Sequence, residues 1–128
     1  MVKFICIAIG GAIGSIVRYG ISGLVQNMIP GSFPWGTLCV NMIGSLLIGL
    51  FWGLSELTFI SPVARLFIAI GFLGSFTTFS TFSLETFDLL RDRETMLGLI
   101  NVGLNNLLAI VLVFAGYFLS RYWLNLLK

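Results

Sequence analysis

The sequence has no histidine, only two cysteines and very few charged residues. Without histidine there is neither a histidine-based metal site nor a histidine general base. Cys6 and Cys39 lie inside apolar runs, which predicts small buried side chains rather than a disulfide or a metal-binding pair. Charged residues make up 9% of the chain, against about 25% in an average soluble domain. These shortages exclude a soluble enzyme, a disordered tail and a disulfide scaffold.

The apolar residues that replace the missing charges point to a membrane protein. The chain has 128 residues, of which 58% are hydrophobic and 14% aromatic, and its mean hydropathy is +1.05. A membrane-spanning helix needs about 20 apolar residues. We therefore expect an all-α integral membrane protein with one four-helix domain, multi-pass in the cell (inner) membrane, with spans at about 2–25, 35–54, 62–90 and 95–123. The net charge of +2 is too weak for a nucleic-acid partner.

Local signals mark the turns between these spans. Residues 26–34 hold two prolines and a glycine, which end one helix and start another. Ser61 followed by Pro62 is typical of a helix start, with an N-cap and a proline at the first helical position. Residues 91–94 are too polar to lie in hydrocarbon. Small residues at four-residue spacing, such as Gly10 and Gly14, predict close helix packing and carry no function by themselves.

The distribution of positive charge gives almost no preferred orientation. Four spans put both termini on one side, which carries Lys3, Arg65, Arg121 and Lys128. The other side carries Arg91 and Arg93, and Arg18 can be counted with them. Such an even count permits insertion in both directions, which favours an antiparallel, dual-topology homodimer. The alternative is that one orientation wins despite the weak bias.

The third span is a poor helix former at the depth where a helix is expected. Residues 71–83 combine glycines with hydroxyl residues. Non-helical backbone at that depth is tolerated where it is buried in protein or lines a cavity. A break near Gly74 to Thr78 would leave main-chain oxygens free to hold a metal ion or another ligand. The alternative is a continuous helix whose Ser and Thr hydroxyls bond to carbonyls one turn earlier.

Polar and aromatic residues follow the predicted break. Phe79 and Phe82 share a helix face, and Thr78, Thr81 and Glu85 line a neighbouring one. The edge of a phenyl ring is electropositive, so ring edges could contact an anion without a full charge. Such weak contact suits an ion that must leave as readily as it enters. The alternative is a phenylalanine stripe that faces lipid or core.

Amides and one arginine also fall within the spans. Asn41, Asn101, Asn105 and Asn106 are costly in hydrocarbon unless they have partners, so they predict either interhelical hydrogen bonds or a polar pathway. Arg18 lies in the second half of the first span. It predicts an anion-attracting vestibule, or a side chain that reaches the interface.

Three segments together resemble the Fluc-type (CrcB family) bacterial fluoride channels over essentially the full length. They are residues 10–19, residues 36–41 and residues 71–85, the last with Thr-Thr-Phe-Ser-Thr-Phe-Ser at its centre. The resemblance implies a fluoride-selective channel, not an enzyme, that exports fluoride passively. It also implies an antiparallel homodimer in the lipid bilayer with two pores at the subunit interface.

The resemblance assigns roles residue by residue. It implies that Phe79 and Phe82 contact fluoride with their ring edges, that Asn41 helps to coordinate it, and that Arg18 is the vestibule arginine. The polar pathway would be continued by Ser80, Thr81, Ser83, Glu85 and Asn105. A structural Na⁺ at the dimer interface would be held by the backbone carbonyls of Gly74 and Thr77 from both subunits, and no organic cofactor is implied.

Two other functions fit a small four-helix membrane protein. A dual-topology multidrug exporter would need a carboxylate within its first helix as a proton-coupled cation site, whereas the first span here has Arg18 and no acid. A non-transporting assembly subunit would conduct nothing by itself and would co-purify with a larger partner.

Overall fold

The described part of the chain, residues 1–126 of the computed structural model, is helical between short connections. Lys128, counted above among the positive charges, lies outside the described residues. No β-strand occurs in residues 1–126. The helices are α1 (Val2–Met28), α2 (Trp35–Leu57), α3 (Pro62–Arg65), a π-helical segment π1 (Leu66–Leu73), α4 (Gly74–Phe76), α5 (Phe79–Arg91) and α6 (Thr95–Leu126).

Four helical stretches within residues 1–126 are long and apolar enough to cross a membrane. They are Val2–Met28, Trp35–Glu56, Pro62–Arg91 and Thr95–Leu126, and the third of them joins α3, π1, α4 and α5. This number agrees with the sequence prediction, and the chain is a multi-pass membrane protein. Each helical stretch continues slightly past the end that the sequence indicated.

Helix α1 extends to Met28, three residues beyond the predicted end of its apolar segment. Gln26 remains helical, and its side chain closes the turn that follows: Nε2 donates to the carbonyls of Gly31 and Phe33, both at 3.2 Å. Its Oε1 accepts the backbone N–H of Gly36 at 3.2 Å. Gln26, which the sequence placed in the turn, therefore belongs to α1, and its side chain holds the start of α2.

The third membrane-spanning stretch starts as predicted and is interrupted as predicted. The Ser61 hydroxyl accepts the backbone N–H of Ala64, and Pro62 occupies the first helical position. The interruption lies at Thr77 and Thr78, whose backbones are extended with ψ of 157° and 123°. The π-helical winding of Leu66–Leu73 was not predicted, because its sequence is a uniform apolar run without a distinguishing pattern.

Glycines let the helices pack with their backbones in contact. A Cβ at Gly10 would lie 2.6 Å from the Phe67 carbonyl oxygen, and one at Gly14 would meet the Phe72 carbonyl oxygen. The small-residue spacing on α1 therefore serves its contact with π1, as the packing interpretation predicted. Gly49 on α2 and Gly116 on α6 do the same for the most extensive helix pair of the fold.

Candidate functional site

The helix break is held open by the side chain of Asn41 on α2. The Thr78 backbone N–H donates to Asn41 Oδ1 at 2.9 Å, and Asn41 Nδ2 donates to the Thr78 carbonyl at 3.1 Å. In an uninterrupted helix the same N–H would bond to the Gly74 carbonyl. One amide thus satisfies both backbone groups of the extended residue, which hydrocarbon could not do.

The residue that interrupts one helix also starts the next. The Thr78 hydroxyl accepts the backbone N–H of Thr81 at 3.2 Å and so caps α5. The same hydroxyl donates to Thr81 Oγ1 at 3.0 Å. A threonine at this position therefore ends the non-helical stretch after two residues and sets the direction in which α5 leaves the break.

The two phenylalanines after the break form a close but unequal pair. The ring centroids of Phe79 and Phe82 lie 5.3 Å apart, with the ring planes tilted by 60°. Phe82 is 5% exposed, whereas Phe79 is 74% exposed. One ring is therefore fixed by the packing of a single chain, while the other lies on its surface.

A cavity of about 390 Å³ brings most of the predicted central residues together. Its lining includes Asn41, Gly74, Thr77, Phe79, Phe82 and Asn105. Two of these lining residues bond to each other: Asn41 Nδ2 donates to Asn105 Oδ1 at 2.9 Å. None of the described residues that line it carries a charge. The site thus combines amides, carbonyls and aromatic rings without a charged side chain.

A second cavity, of about 700 Å³, contains the predicted vestibule residue. Arg18, Thr81 and Glu85 line it, and Thr78 lines both cavities. Arg18 Nη1 donates to the Thr77 carbonyl at 3.4 Å. No carboxylate among residues 1–126 forms an ion pair with Arg18. The guanidinium therefore lies beside the helix break and lines the second cavity.

Glu85 is held in this second cavity by a residue of α2. The Thr37 hydroxyl donates to Glu85 Oε1 at 2.6 Å. The other carboxyl oxygen is buried, and no group within residues 1–126 bonds to it. Thr37 is itself buried, so the contact fixes the carboxyl group, and its second oxygen has no partner within residues 1–126.

Two predicted pathway residues stand apart from both cavities. Ser80 and Ser83 are exposed and line neither space. The Ser83 hydroxyl donates to the Phe79 carbonyl at 2.8 Å, one turn earlier on α5. Ser80 lies near the Thr78 hydroxyl, with 3.3 Å between the oxygens. The structure thus gathers six of the predicted residues at one cavity and three at the other, without these two.

Sequence reasoning did not assign roles to Thr37 and Thr86. Thr37 lies one turn before Asn41, so their shared helix face was a usable signal. Asn101 was predicted to form interhelical hydrogen bonds or to line a polar pathway, and its bond to Thr86 on α5 is an interhelical one. Thr86 is one turn after Phe82 and gave no signal, because its partner is on another helix.

The geometry defines a class of protein. A multi-pass helical bundle that places amides, hydroxyls and aromatic rings along cavities beside a broken helix is built as a membrane channel or transporter. The family model described as "CrcB-like protein, Camphor Resistance (CrcB)" matches residues 5–117. The chain belongs to this family.

Similar proteins cover nearly the whole chain. A protein from Parabacteroides distasonis is 42% identical over 128 residues, covering 100% of both chains. One from Nitrosococcus oceani is 45% identical over 93% of this chain and 96% of its own. One from Thermococcus kodakarensis is 47% identical over 90% of this chain and 93% of its own. All three are named fluoride-specific ion channel FluC.

Proposed function

We propose that this chain is a fluoride-selective channel that lets fluoride leave the cell passively, which lowers the cytoplasmic fluoride concentration. The names of its relatives support this function. The observation that carries it is the uncharged cavity lined by the Asn41 amide and the rings of Phe79 and Phe82. A channel of this kind is not an enzyme: it binds an ion weakly and releases it unchanged.

The proposed conduction step depends on contacts that are individually weak. Phe79 and Phe82 offer the electropositive edges of their rings, and Asn41 offers amide N–H groups. Arg18 at the second cavity raises the local concentration of anions without lying among the central residues. An anion that meets no charged side chain among the central residues can leave as readily as it enters.

Passive export needs only an outward fluoride gradient. Hydrogen fluoride enters a cell as a weak acid and dissociates inside, so a selective pore releases the trapped anion. The direct test is to reconstitute the protein in liposomes loaded with fluoride, without ATP or a pH gradient. We expect fluoride to leave when an ionophore balances the charge, and a requirement for a pH gradient would contradict passive conduction.

The same preparation separates the alternative functions. A multidrug exporter would take up a lipophilic cation when a pH gradient is imposed, yet α1 contains no acidic residue to couple it to protons. An assembly subunit would conduct nothing until a partner protein is added. Fluoride efflux from liposomes that contain this chain alone excludes both alternatives.

We also propose that two copies assemble as an antiparallel, dual-topology homodimer. The cavity that holds Asn41 opens on the surface of the single chain, and Phe79 beside it is exposed. Asn106, which also lines the cavity, is exposed too. An amide facing lipid is costly, so a second copy that covers this face relieves the cost. The nearly even charge of the two sides permits the opposite orientation.

Site-specific labelling tests this assembly. A single cysteine placed at the exposed end of α1, in a background without Cys6 and Cys39, should be labelled by an impermeant thiol reagent from both sides of the membrane. Labelling from one side only would contradict dual topology, and a monomer by size measurement in detergent would contradict the dimer.

We further propose that a structural Na⁺ is bound at the dimer interface by the carbonyls of Gly74 and Thr77. The residues fit such an ion. The Thr78 N–H donates to Asn41 and so leaves the Gly74 carbonyl without its helical partner. Both residues line the open cavity. Within residues 1–126 the Thr77 carbonyl accepts a long bond from Arg18, and its second lone pair remains for a cation.

A bound Na⁺ would supply positive charge that draws the carbonyls of two copies together. We expect the dimer to be more stable to heating in Na⁺ than in an equal concentration of N-methyl-D-glucamine. Equal stability in both salts, with fluoride efflux intact, would contradict the proposed Na⁺ site but not the channel function.

A further inference from the structure

A chain of side-chain hydrogen bonds starts at the helix break and crosses to α6. The Thr78 backbone N–H donates to Asn41 Oδ1, and Asn41 Nδ2 donates in turn to Asn105 Oδ1, both at 2.9 Å. Each amide therefore accepts with its oxygen and donates with its nitrogen. The direction of these bonds runs away from the break.

The same direction continues until the chain returns to α5. Asn105 Nδ2 donates to Asn101 Oδ1 at 2.8 Å, and Asn101 Nδ2 donates to Thr86 Oγ1 at 2.9 Å. The Thr86 hydroxyl then donates to the backbone carbonyl of Phe82 at 2.8 Å. Asn101 is 0% exposed and lines neither of the two cavities.

Backbone atoms at both ends fix the orientation of every amide between them. The chain begins at an N–H that can only donate and ends at a carbonyl that can only accept. Turning any one amide around would face two donors or two acceptors toward each other. Asn41 is oriented directly by the Thr78 backbone. The side chain of Asn105 is also oriented by Asn101, one hydrogen bond away, and by Thr86, two bonds away.

We propose that Thr86 and Asn101 are positioning residues for anion conduction, which rests on the proposed fluoride channel. Both N–H groups of Asn41 are already used, one by the Thr78 carbonyl and one by Asn105 Oδ1. An anion that binds this amide takes the N–H from Asn105. How readily it does so depends on how firmly Asn101 and Thr86 hold the Asn105 side chain.

In this arrangement Asn105 Oδ1 competes with the anion for the same N–H of Asn41. The Asn105 oxygen occupies the Asn41 donor between passages, so the amide is never left unsatisfied. If Thr86 no longer accepts from Asn101, Asn105 keeps its bond to the Asn101 backbone carbonyl at 3.2 Å, but the Asn101 side-chain oxygen that also holds it is no longer oriented from α5. The competition between Asn105 and the anion then changes, and with it the apparent affinity for fluoride.

A pair of substitutions at Thr86 tests the proposal in the full-length protein reconstituted in liposomes. Thr86→Val keeps the shape and removes the hydroxyl, whereas Thr86→Ser keeps the hydroxyl and removes a methyl group. Fluoride flux is measured against fluoride concentration. We expect Thr86→Val to move the half-saturating concentration by about threefold or more, the range that one neutral hydrogen bond allows, and Thr86→Ser to leave it near the wild-type value.

The outcomes separate the proposal from its alternatives. A merely structural role for Thr86 would lower the maximal flux in proportion to lost protein and leave the half-saturating concentration unchanged, which overturns the proposal. Absence of flux in the wild-type protein would instead overturn the channel function. If the valine variant does not assemble, Thr86→Ala carries the same expectation against Thr86→Ser.

Discussion

The side-chain amide of Asn41 bonds to both backbone groups of Thr78, the extended residue at the break in the third membrane-spanning stretch. One residue of α2 thereby makes a non-helical backbone compatible with the membrane interior. The amide also reaches Asn105 on α6. The residue proposed to meet the anion is therefore also the residue that keeps the break in place.

This double role predicts a loss of stability on Asn41→Leu. The substitution keeps a branched side chain but leaves the Thr78 N–H without its partner, at a cost of about 1–3 kcal/mol. The thermal midpoint of the protein in detergent should fall. Asn106→Leu is the matched control, because Asn106 is exposed and its amide bonds to Val102 on its own helix. Equal midpoints for the two variants would contradict the structural role of Asn41.

The ring of Phe82 should be needed for fluoride flux. Phe82→Ile keeps an apolar side chain and removes the electropositive ring edge, so we expect fluoride efflux to fall by roughly tenfold. Phe87→Ile, an exposed position on the same helix, should conduct like the wild type. Efflux is measured with a fluoride electrode on equal amounts of folded protein. An unchanged rate for Phe82→Ile would show that the ring edge is not used.

The charge of Arg18 should act over a distance. Arg18→Gln removes the cation at the second cavity, and we expect fluoride flux to fall more at low than at high ionic strength, because salt screens the attraction. Arg18→Lys retains the charge and should keep most of the salt dependence. A side chain that merely reaches the interface would give the same salt dependence in all three proteins.

The backbone contact between α1 and π1 should tolerate no side chain at Gly14. A Cβ there would meet the Phe72 carbonyl oxygen, so Gly14→Ala should destabilise the fold by about 1–3 kcal/mol. Gly20→Ala on the same helix is the control, because nothing lies within 4 Å of a Cβ at that position. The yield of folded protein and its thermal midpoint distinguish the two variants, and equal values would contradict the packing described here.

The features that sequence predicted are those carried by local pattern. Four apolar runs predicted the membrane-spanning helices, and Ser61 with Pro62 predicted a helix start that the structure confirms. The poor helix formers around Gly74 predicted the break, which lies at Thr77 and Thr78. In each case the signal lies within a few residues of the feature.

The features that sequence missed depend on contacts between helices. The bonds from Thr37 to Glu85 and from Asn101 to Thr86 join residues on different elements, and no local pattern specifies which polar side chains will meet. Ser80 and Ser83 followed the polar pattern of α5, yet helical geometry turns them away from both cavities. The π-helical winding of Leu66–Leu73 was also missed, because its uniform apolar run has no distinguishing pattern.

The most direct test of the central claim is the ratio of fluoride to chloride efflux. Liposomes that contain the wild-type protein are loaded with both anions, and the two concentrations outside are followed after charge compensation. Recognition by ring edges and one amide, without a charged side chain among the central residues, predicts rapid fluoride efflux and almost no chloride efflux. Equal efflux of both anions, or none of fluoride, would contradict the account.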